Sequence, residues 1–353
     1  MITKSFGDDS HCIGTVGKRC ILMPYPDGVT SSPLLALRAM NADRERVEVA
    51  LREAVHTPDA YLSEIASHLI SAGGKRLRPV LSIVASQVMD DNEVVENAVQ
   101  GGISCELVHL GSLYHDDVMD ESTTRRGVET VNAKWGNLQA ILAGDFLLAR
   151  ASEIAASLGN EVAGLLARTI GRLCEGQIEE LRHTYNIARP VDSYLNSIEG
   201  KTASLYATAA RIGGLVSGYD RHIVDALTQY GVAYGMVFQI VDDILDITAT
   251  DEELGKPAGH DMVEGVYTLP ALATLAAGGP AAAELAALLG KPLNHAECEK
   301  VLEIVRANGG VAHAVDRARM YVARAESACD VFPDTAASRA MRSATAVLLS
   351  SVE

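Results

Sequence analysis

Two aspartate clusters in this chain are spaced to do chemistry together. Asp116-Asp117-Val118-Met119-Asp120 and Asp242-Asp243-Ile244-Leu245-Asp246 both read D-D-x-x-D. Each lies in an apolar stretch with helical spacing, ELVHLGSLYHDDVMD and GMVFQIVDDILD. On a helix, residues i and i+4 share a face about 6 Å apart along the axis. Asp116 therefore projects with Asp120, and Asp242 with Asp246. Like charges at that spacing weaken a helix by a few tenths of a kcal/mol. A chain that accepts this twice, beside core residues, implies a cation that neutralises them. Hard oxygen ligands with room left for water and phosphate suit Mg2+.

Cations flank the carboxylates in order. Gly73-Gly74-Lys75-Arg76-Leu77-Arg78-Pro79 puts three cations in four residues between two glycines and a proline. Such dense donors suit a diphosphate, with Arg offering a planar fork and Lys a point charge. Arg125-Arg126-Gly127 follows the first cluster, and Lys256 follows the second. Each segment alone reads as an ordinary solvated basic loop. The order is informative: basic loop, D-D-x-x-D, Arg-Arg, Lys201-Thr202, D-D-x-x-D, Lys. It describes a site with two anion-binding places and several divalent ions.

The elements that must position these groups are helical. The chain has 353 residues, of which 48% are apolar and only 5% aromatic. A core built from Ala, Leu, Val and Ile favours helices. Spacing predicts helices at 36–56, 58–72, 78–90, 93–120, 134–157, 161–186, 192–216, 220–248, 268–277, 281–290, 295–308, 310–330 and 334–351. Thr57, with Pro58 in the first helical position, Asp192 and Asp220 are the expected N-caps. No alternating strand pattern is visible. Residues 1–33 lack periodicity and are expected to be a poorly ordered tail, followed by a single all-α domain at 34–353 around a central bundle.

A net charge of −16 argues against nucleic acid as a partner. It does not exclude an anionic substrate, because local cations or bound metals invert the field of a site. The six cysteines are scattered, without a C-x-x-C pair, and read as buried free thiols in a reducing compartment rather than a disulfide framework. No span of about 20 apolar residues suggests a membrane helix. The N-terminus lacks the apolar centre of a signal peptide. A cytoplasmic location is expected.

The motifs together resemble the trans-isoprenyl diphosphate synthases, the polyprenyl synthetase family. The matching segments are GGKRLRP at 73–79, ELVHLGSLYHDDVMDESTTRRG at 106–127, GDFLLARA at 144–151, EGQIEEL at 175–181, GKTASLY at 200–206, YGMVFQIVDDILD at 234–246 and GKPAGHDMVEGVYTLP at 255–270. The resemblance covers roughly residues 36–350. It implies an all-α isoprenoid-synthase-type bundle around a large central cavity. It also implies a reaction: an allylic diphosphate ionises, its carbocation alkylates isopentenyl diphosphate, and proton loss leaves a trans double bond. Fixed carboxylates that clamp Mg2+ suit that chemistry, since the departing diphosphate must have its charge stabilised.

By motif position, Asp116, Asp117 and Asp120 resemble the first Mg2+ cluster, with Asp116 and Asp120 as direct ligands. Asp242 resembles the ligand of a third ion, with Asp243 and Asp246 acting through water. Arg125 and Lys256 match the allylic diphosphate site. Lys75, Arg78, His109 and Arg126 match the isopentenyl diphosphate site. Lys201, Thr202 and Gln239 match groups near the cationic intermediate. Taken singly, His109 reads as a satisfied half-buried histidine, Gln239 as a packing amide and Thr202 as a back-bonded hydroxyl; their order among the motifs favours function. Asp145, Gln177 and Glu180 are family-like, but packing or capping accounts for them. One position departs from the pattern: Val266 stands where many family members carry a lysine at the allylic diphosphate.

Product length should depend on the wall of a channel running from Asp116 toward the N-terminus of its helix. Gly111 and Ser112 stand one turn before Asp116, where short-chain members of the family carry an aromatic plug. Val108, Cys105, Ser104, Gly101 and Gly102 continue that face, and all are small or medium. One interpretation is an open tunnel and an all-trans polyprenyl product of about 30–50 carbons. The other is close helix packing at the same small residues. A geranylgeranyl or farnesyl diphosphate synthase is the alternative if the channel is blocked deeper. A terpene cyclase would have no use for the basic loop, a non-catalytic subunit would lose aspartates or basic residues, and a metal buffer would not need Lys75, Arg78, Arg125 and Arg126. The resemblance further implies a homodimer. A long prenyl tail implies transient membrane contact at product release.

Overall fold

The computed structural model describes residues 32–37, 39–90, 94–250 and 258–353. Almost all of the expected tail, and Lys256, lie outside these residues. Ser32 is buried, and the 3-10 turn Pro33–Ala36 places Leu34 in the core.

Among the described residues, ten α-helices run up to and include the second aspartate cluster. They are α1 (Met40–Ala54), α2 (Ala60–Ser71), α3 (Leu77–Ala85), α4 (Glu96–Met119), α5 (Val131–Trp135), α6 (Asn137–Ser157), α7 (Asn160–Arg182), α8 (Val191–Ile198), α9 (Ser204–Val216) and α10 (Arg221–Thr248). A short helix His260–Glu264 follows, then Leu269–Ala277, Gly279–Leu288, His295–Ala307, Gly310–Ala328 and Ala336–Leu349. The all-α expectation is met, and most boundaries agree within a few residues.

The differences are local. The cap of α2 is Asp59, whose carboxylate accepts from the Tyr61 and Leu62 amides, while Thr57 is spent on a turn with Asp59. Pro58 therefore precedes the helix. Asp192 lies in the first turn of α8 behind Pro190, and Asp220 occupies the cap position of α10 without a side-chain cap bond. A two-stranded antiparallel hairpin, Thr124–Arg125 with Val128–Glu129, was not expected. Its turn residues Arg126 and Gly127 have φ of 54° and 74°, the left-handed pair that a tight two-residue hairpin demands.

Helix α10 spans 28 residues, roughly 42 Å, and is shared by two cores. Its first half (Leu227, Tyr230, Tyr234) packs among α1–α7 and α9. Its second half (Met236, Val237, Ile240, Ile244) packs against α8 and the helices that follow. Both aspartate helices are thus held by buried aliphatic and tyrosine side chains.

Candidate active site

The basic loop is anchored by its middle cation. Arg76 adopts a left-handed backbone (φ 50°) and turns inward. Its guanidinium binds Glu48 at 2.6 Å, Glu106 at 3.2 Å and the Ile70 carbonyl at 2.9 Å, tying α1, α2 and α4 together. Lys75 and Arg78, on either side, stay half-buried. The Arg78 guanidinium lies 4.6 Å from the centre of the Tyr206 ring. The hairpin tip docks on this loop, since Arg126 donates to the carbonyls of Gly73 (2.5 Å) and Leu69 (3.3 Å). His109 on α4 completes the group. Burial, then the charges of Arg78, Arg126 and Arg125, push its imidazole well below the ordinary histidine range, so it is neutral at pH 7. Three of the four residues expected at the isopentenyl diphosphate site are therefore in one another's field.

The first aspartate cluster divides its labour. Asp117 is fully buried, and its Oδ1 accepts from Arg125 Nε at 2.5 Å. Asp116 is half-buried and Asp120, the C-cap of α4, is exposed at its surface. Burial raises Asp116, against Lys201 and Arg125. The surrounding protein, then Glu264, pushes Asp120 up to about 6, against Lys201.

Lys201 stands on a π turn, Glu199–Ala203, between α8 and α9. Such wide turns mark positions where a helix re-aims side chains. This one fits because Gly176 and Gly200 lack side chains. A Cβ on Gly176 would lie 2.5 Å from the Lys201 amide nitrogen, and one on Gly200 would lie 2.8 Å from the Arg172 carbonyl. That close approach of α7 lets Lys201 Nζ donate to Glu180 Oε1 at 2.7 Å. Burial lowers the Lys201 ammonium, but Glu180, Asp116 and Asp120 outweigh it and hold it above the ordinary lysine range.

The second cluster is wired to the same turn. Thr202 Oγ1 donates to Gln239 Oε1 at 2.8 Å, and Gln239 Nε2 donates to Asp243 Oδ1 at 2.8 Å. The Tyr194 hydroxyl donates to the other oxygen, Oδ2, at 2.5 Å. Asp243 is buried and pushed up to about 7 by desolvation; the Tyr194 and Gln239 bonds oppose this, and Asp242 and Glu180 add to it. Asp242 is exposed and Asp246 buried. The Asp246 carboxylate accepts the Asp261 amide at 3.3 Å, which sets the short helix bearing Glu264. Glu264 then reaches the field of Asp120 on the first cluster.

Lys201 is thus in the field of Asp116 and Asp120 on the first cluster, and its partner Glu180 in the field of Asp116 and of Asp243 on the second. Sequence reasoning left Glu180 to packing and passed over Tyr194. The signal for Glu180 was its spacing of four from Gly176, which puts a carboxylate one turn beyond a glycine contact. Among the described residues, no three acidic, His or Cys side chains converge tightly enough to hold an ion alone. The donor set is carboxylate oxygen throughout. This fits Mg2+, which is commonly held by one or two carboxylates plus water and substrate phosphate rather than by an all-protein cage.

The proposed channel wall needs correction. A Cβ on Gly111 would lie 3.0 Å from the Gly144 carbonyl and 3.3 Å from Leu148, so this glycine admits α6 rather than opening a tunnel. Gly101 and Gly102 likewise admit Ile212 of α9 (2.3 Å) and Pro79 of α3 (2.5 Å). Val108 and Cys105 are fully buried, and Ser112 is half-buried with its hydroxyl bonded back to the His109 carbonyl at 2.9 Å. Close helix packing is what the three glycines serve. The thiol expectation also needs adjustment. Cys105, Cys298 and Cys329 are free and buried, but Cys174 is free and exposed.

Residues 59–305 match the model of the polyprenyl synthetase family. The nonaprenyl diphosphate synthase of Mycobacterium tuberculosis is 40% identical over 315 residues, which covers 89% of this chain and 94% of that protein. A polyprenyl synthase from Caulobacter crescentus, solved in complex with calcium and isoprenyl diphosphate, superposes with a TM-score of 0.83 at 32% identity over 90% of this chain and 97% of that one. A geranylgeranyl pyrophosphate synthase from Corynebacterium glutamicum, also solved with calcium and isoprenyl diphosphate, superposes with a TM-score of 0.77 at 37% identity, covering 88% and 95%.

Proposed function

This chain belongs to the polyprenyl synthetase family, and from that membership and its site we infer the reaction. It is a trans-prenyltransferase that elongates an allylic diphosphate with isopentenyl diphosphate and builds an all-trans polyprenyl diphosphate, releasing diphosphate. The single observation that carries the site assignment is the Glu180–Lys201 pair, which lies within the field of both D-D-x-x-D helices.

Asp116, Asp120 and Asp242 would hold Mg2+, with Asp117, Asp243 and Asp246 supporting them; the resemblance implies three ions. When bound, the ions supply positive charge to the departing diphosphate. Arg125, Lys201 and Lys256 grip the allylic diphosphate. Lys75, Arg78, Arg126 and neutral His109 grip isopentenyl diphosphate, so two anions enter an acidic protein at two cationic places. The allylic C–O bond breaks, and the Thr202 and Gln239 oxygens face the cation that forms. The isopentenyl double bond attacks that cation, and a proton leaves to give the trans alkene.

We assign the product to about 30–50 carbons, in keeping with long-chain relatives, and geranylgeranyl or farnesyl diphosphate is the shorter alternative. The exposed side of α6 supports a homodimer: Leu138, Ile141 and Leu142 share one face and are 74%, 42% and 66% exposed. No helix among the described residues is long and apolar enough to cross a membrane. Release of a long tail is assigned to transient contact with a lipid surface, and the reaction itself to the cytoplasm.

The test is incubation with isopentenyl diphosphate and primers of rising length, with Mg2+ or with chelator, followed by sizing of the dephosphorylated products. Chain growth only with Mg2+ is expected. No incorporation with any primer overturns the assignment. Product that forms equally without divalent ion removes the aspartates from their role.

A further inference from the structure

The loop between α7 and α8 carries a buried cation that no motif picks out. Arg189 is 4% exposed. Its backbone is fixed by a turn in which its amide donates to the Asn186 carbonyl at 3.1 Å, and by Pro190 after it. The same loop clasps the segment beyond the second cluster, since the Tyr185 amide donates to the Gly265 carbonyl at 2.8 Å. The guanidinium carbon lies 5.6 Å from the centre of the Tyr194 ring. Nη1 makes one long bond, 3.4 Å, to the Tyr267 carbonyl. Nε and Nη2 are buried and have no hydrogen-bond partner among the described residues.

A buried guanidinium ordinarily spends its five donors, and it cannot shed its proton to escape the cost. Here two donor atoms are left over beside Tyr194, the residue that holds Asp243. The charges nearest in effect are Glu180, Asp243 and Glu179. They partly offset the burial that brings Arg189 below the ordinary arginine value. Two of these three bear on the site: Asp243 belongs to the second aspartate cluster, and Glu180 pairs with Lys201.

We propose that Arg189 is a positioning residue of the ionising site, a fixed positive charge behind Tyr194 and Asp243 that favours the allylic diphosphate anion. The proposal rests on the assignment of this site to an allylic diphosphate. It gives a functional weight to the departure at Val266. That residue precedes Tyr267, whose carbonyl Arg189 touches, and it is half-exposed where many family members carry a lysine. The cation is present here, supplied from a different loop.

The sign of the effect separates this role from a structural one. A positive charge beside Asp243 and Glu180 attracts diphosphate and repels Mg2+. Arg189→Met should raise the KM for the allylic primer on the order of tenfold, the scale of losing one nearby charge at an effective dielectric near 20. The KM for isopentenyl diphosphate should rise less than that for the primer, and half-saturation by Mg2+ should fall or hold, since the same field acts with opposite sign on the cation. Arg189→Lys should keep most of the primer affinity. Arg189→Met with Val266→Lys should recover it, with melting temperature followed throughout to separate misfolding. The proposal is overturned if Arg189→Met leaves primer KM unchanged, if it raises the Mg2+ requirement, if Arg189→Lys behaves as Arg189→Met, or if Val266→Lys restores nothing in a folded double variant. A wild-type enzyme that fails to condense any primer would instead overturn the site assignment itself.

Discussion

Arg125 Nε lies 2.5 Å from Asp117 Oδ1, while the other oxygen of that carboxylate is buried without a hydrogen-bond partner among the described residues. The middle aspartate of the first cluster is thus committed to a cation on the hairpin that follows α4, and Asp116 and Asp120 are left to face the site. The same arginine is assigned to the allylic diphosphate, so the pair couples the hairpin to the substrate. Arg125→Ala should therefore do two things. It should weaken primer binding, and it should destabilise the fold by about 2 kcal/mol. The latter is below the roughly 3–5 kcal/mol of a fully buried pair because the arginine is partly solvated. Chemical denaturation and primer KM measured on the same preparation check both. A variant that loses primer affinity with unchanged stability would mean that Asp117 does not depend on this partner.

The carboxylates should also make metal stabilisation depend on pH. Asp120 is pushed up to about 6 and Asp243 to about 7, above the value of about 3.9 in an unfolded chain. Between those values the folded state binds more protons than the unfolded state, so stability falls as pH rises. This contribution is full below about pH 4 and gone above about pH 7. The melting temperature of protein stripped of divalent ions should drop from pH 5 to pH 8. Mg2+ binds the ionised carboxylates, so its stabilising effect, with diphosphate present, should be larger at pH 8 than at pH 5.5. Asp120→Asn should flatten both trends. A Mg2+ gain that is the same at both pH values would remove these carboxylates as its cause.

Helical spacing located nearly every long helix, because an amphipathic stripe in an Ala- and Leu-rich chain leaves few other folds. It placed the two aspartate clusters and the basic segments for the same reason. What stayed hidden depended on contacts between distant segments. Arg76 looked like one more phosphate donor, yet it is the anchor for Glu48 and Glu106. The Arg126-Gly127 turn was invisible because two paired residues on each side carry no periodicity. Glu180 gained meaning only when the π turn brought Lys201 against it, and Tyr194 only through its bond to Asp243. The glycines before Asp116 suggested space, but a missing side chain can equally be filled by a neighbouring helix, and here it is.

That distinction changes how product length should be tested. Ser112→Phe introduces an aromatic at a half-buried position one turn before Asp116, and a shorter product is expected with little loss of stability. Gly111→Phe would drive its Cβ to 3.0 Å from the Gly144 carbonyl. Separation of α4 from α6 should cost about 1–3 kcal/mol and reduce activity whatever the product length. Chromatographic sizing alongside thermal denaturation distinguishes the two. An unchanged product from folded Ser112→Phe would move the determinant of length off this face of α4.

The hydrogen-bond chain from Thr202 through Gln239 to Asp243, closed by Tyr194, predicts an asymmetry between its two ends. Both Gln239 and Tyr194 donate to the same carboxylate, one to each oxygen. Tyr194→Phe removes the donor farther from the π turn and leaves Gln239 facing Thr202. Its effect should fall on ion binding through Asp243: a several-fold rise in the Mg2+ needed for half-maximal rate and a stability loss of about 1–2 kcal/mol, the usual cost of one orphaned buried acceptor. Gln239→Leu removes both the bond to Asp243 and the acceptor that orients Thr202. Those oxygens are assigned to the carbocation, so kcat should fall further, by about 10^2-fold, the lower end for loss of one preorganised electrostatic group. That loss should persist at saturating Mg2+, whereas the Tyr194→Phe loss should be largely recovered there. Equal defects in the two variants, or a Gln239→Leu enzyme fully rescued by Mg2+, would show that the chain only holds Asp243 in place and gives the cation no help.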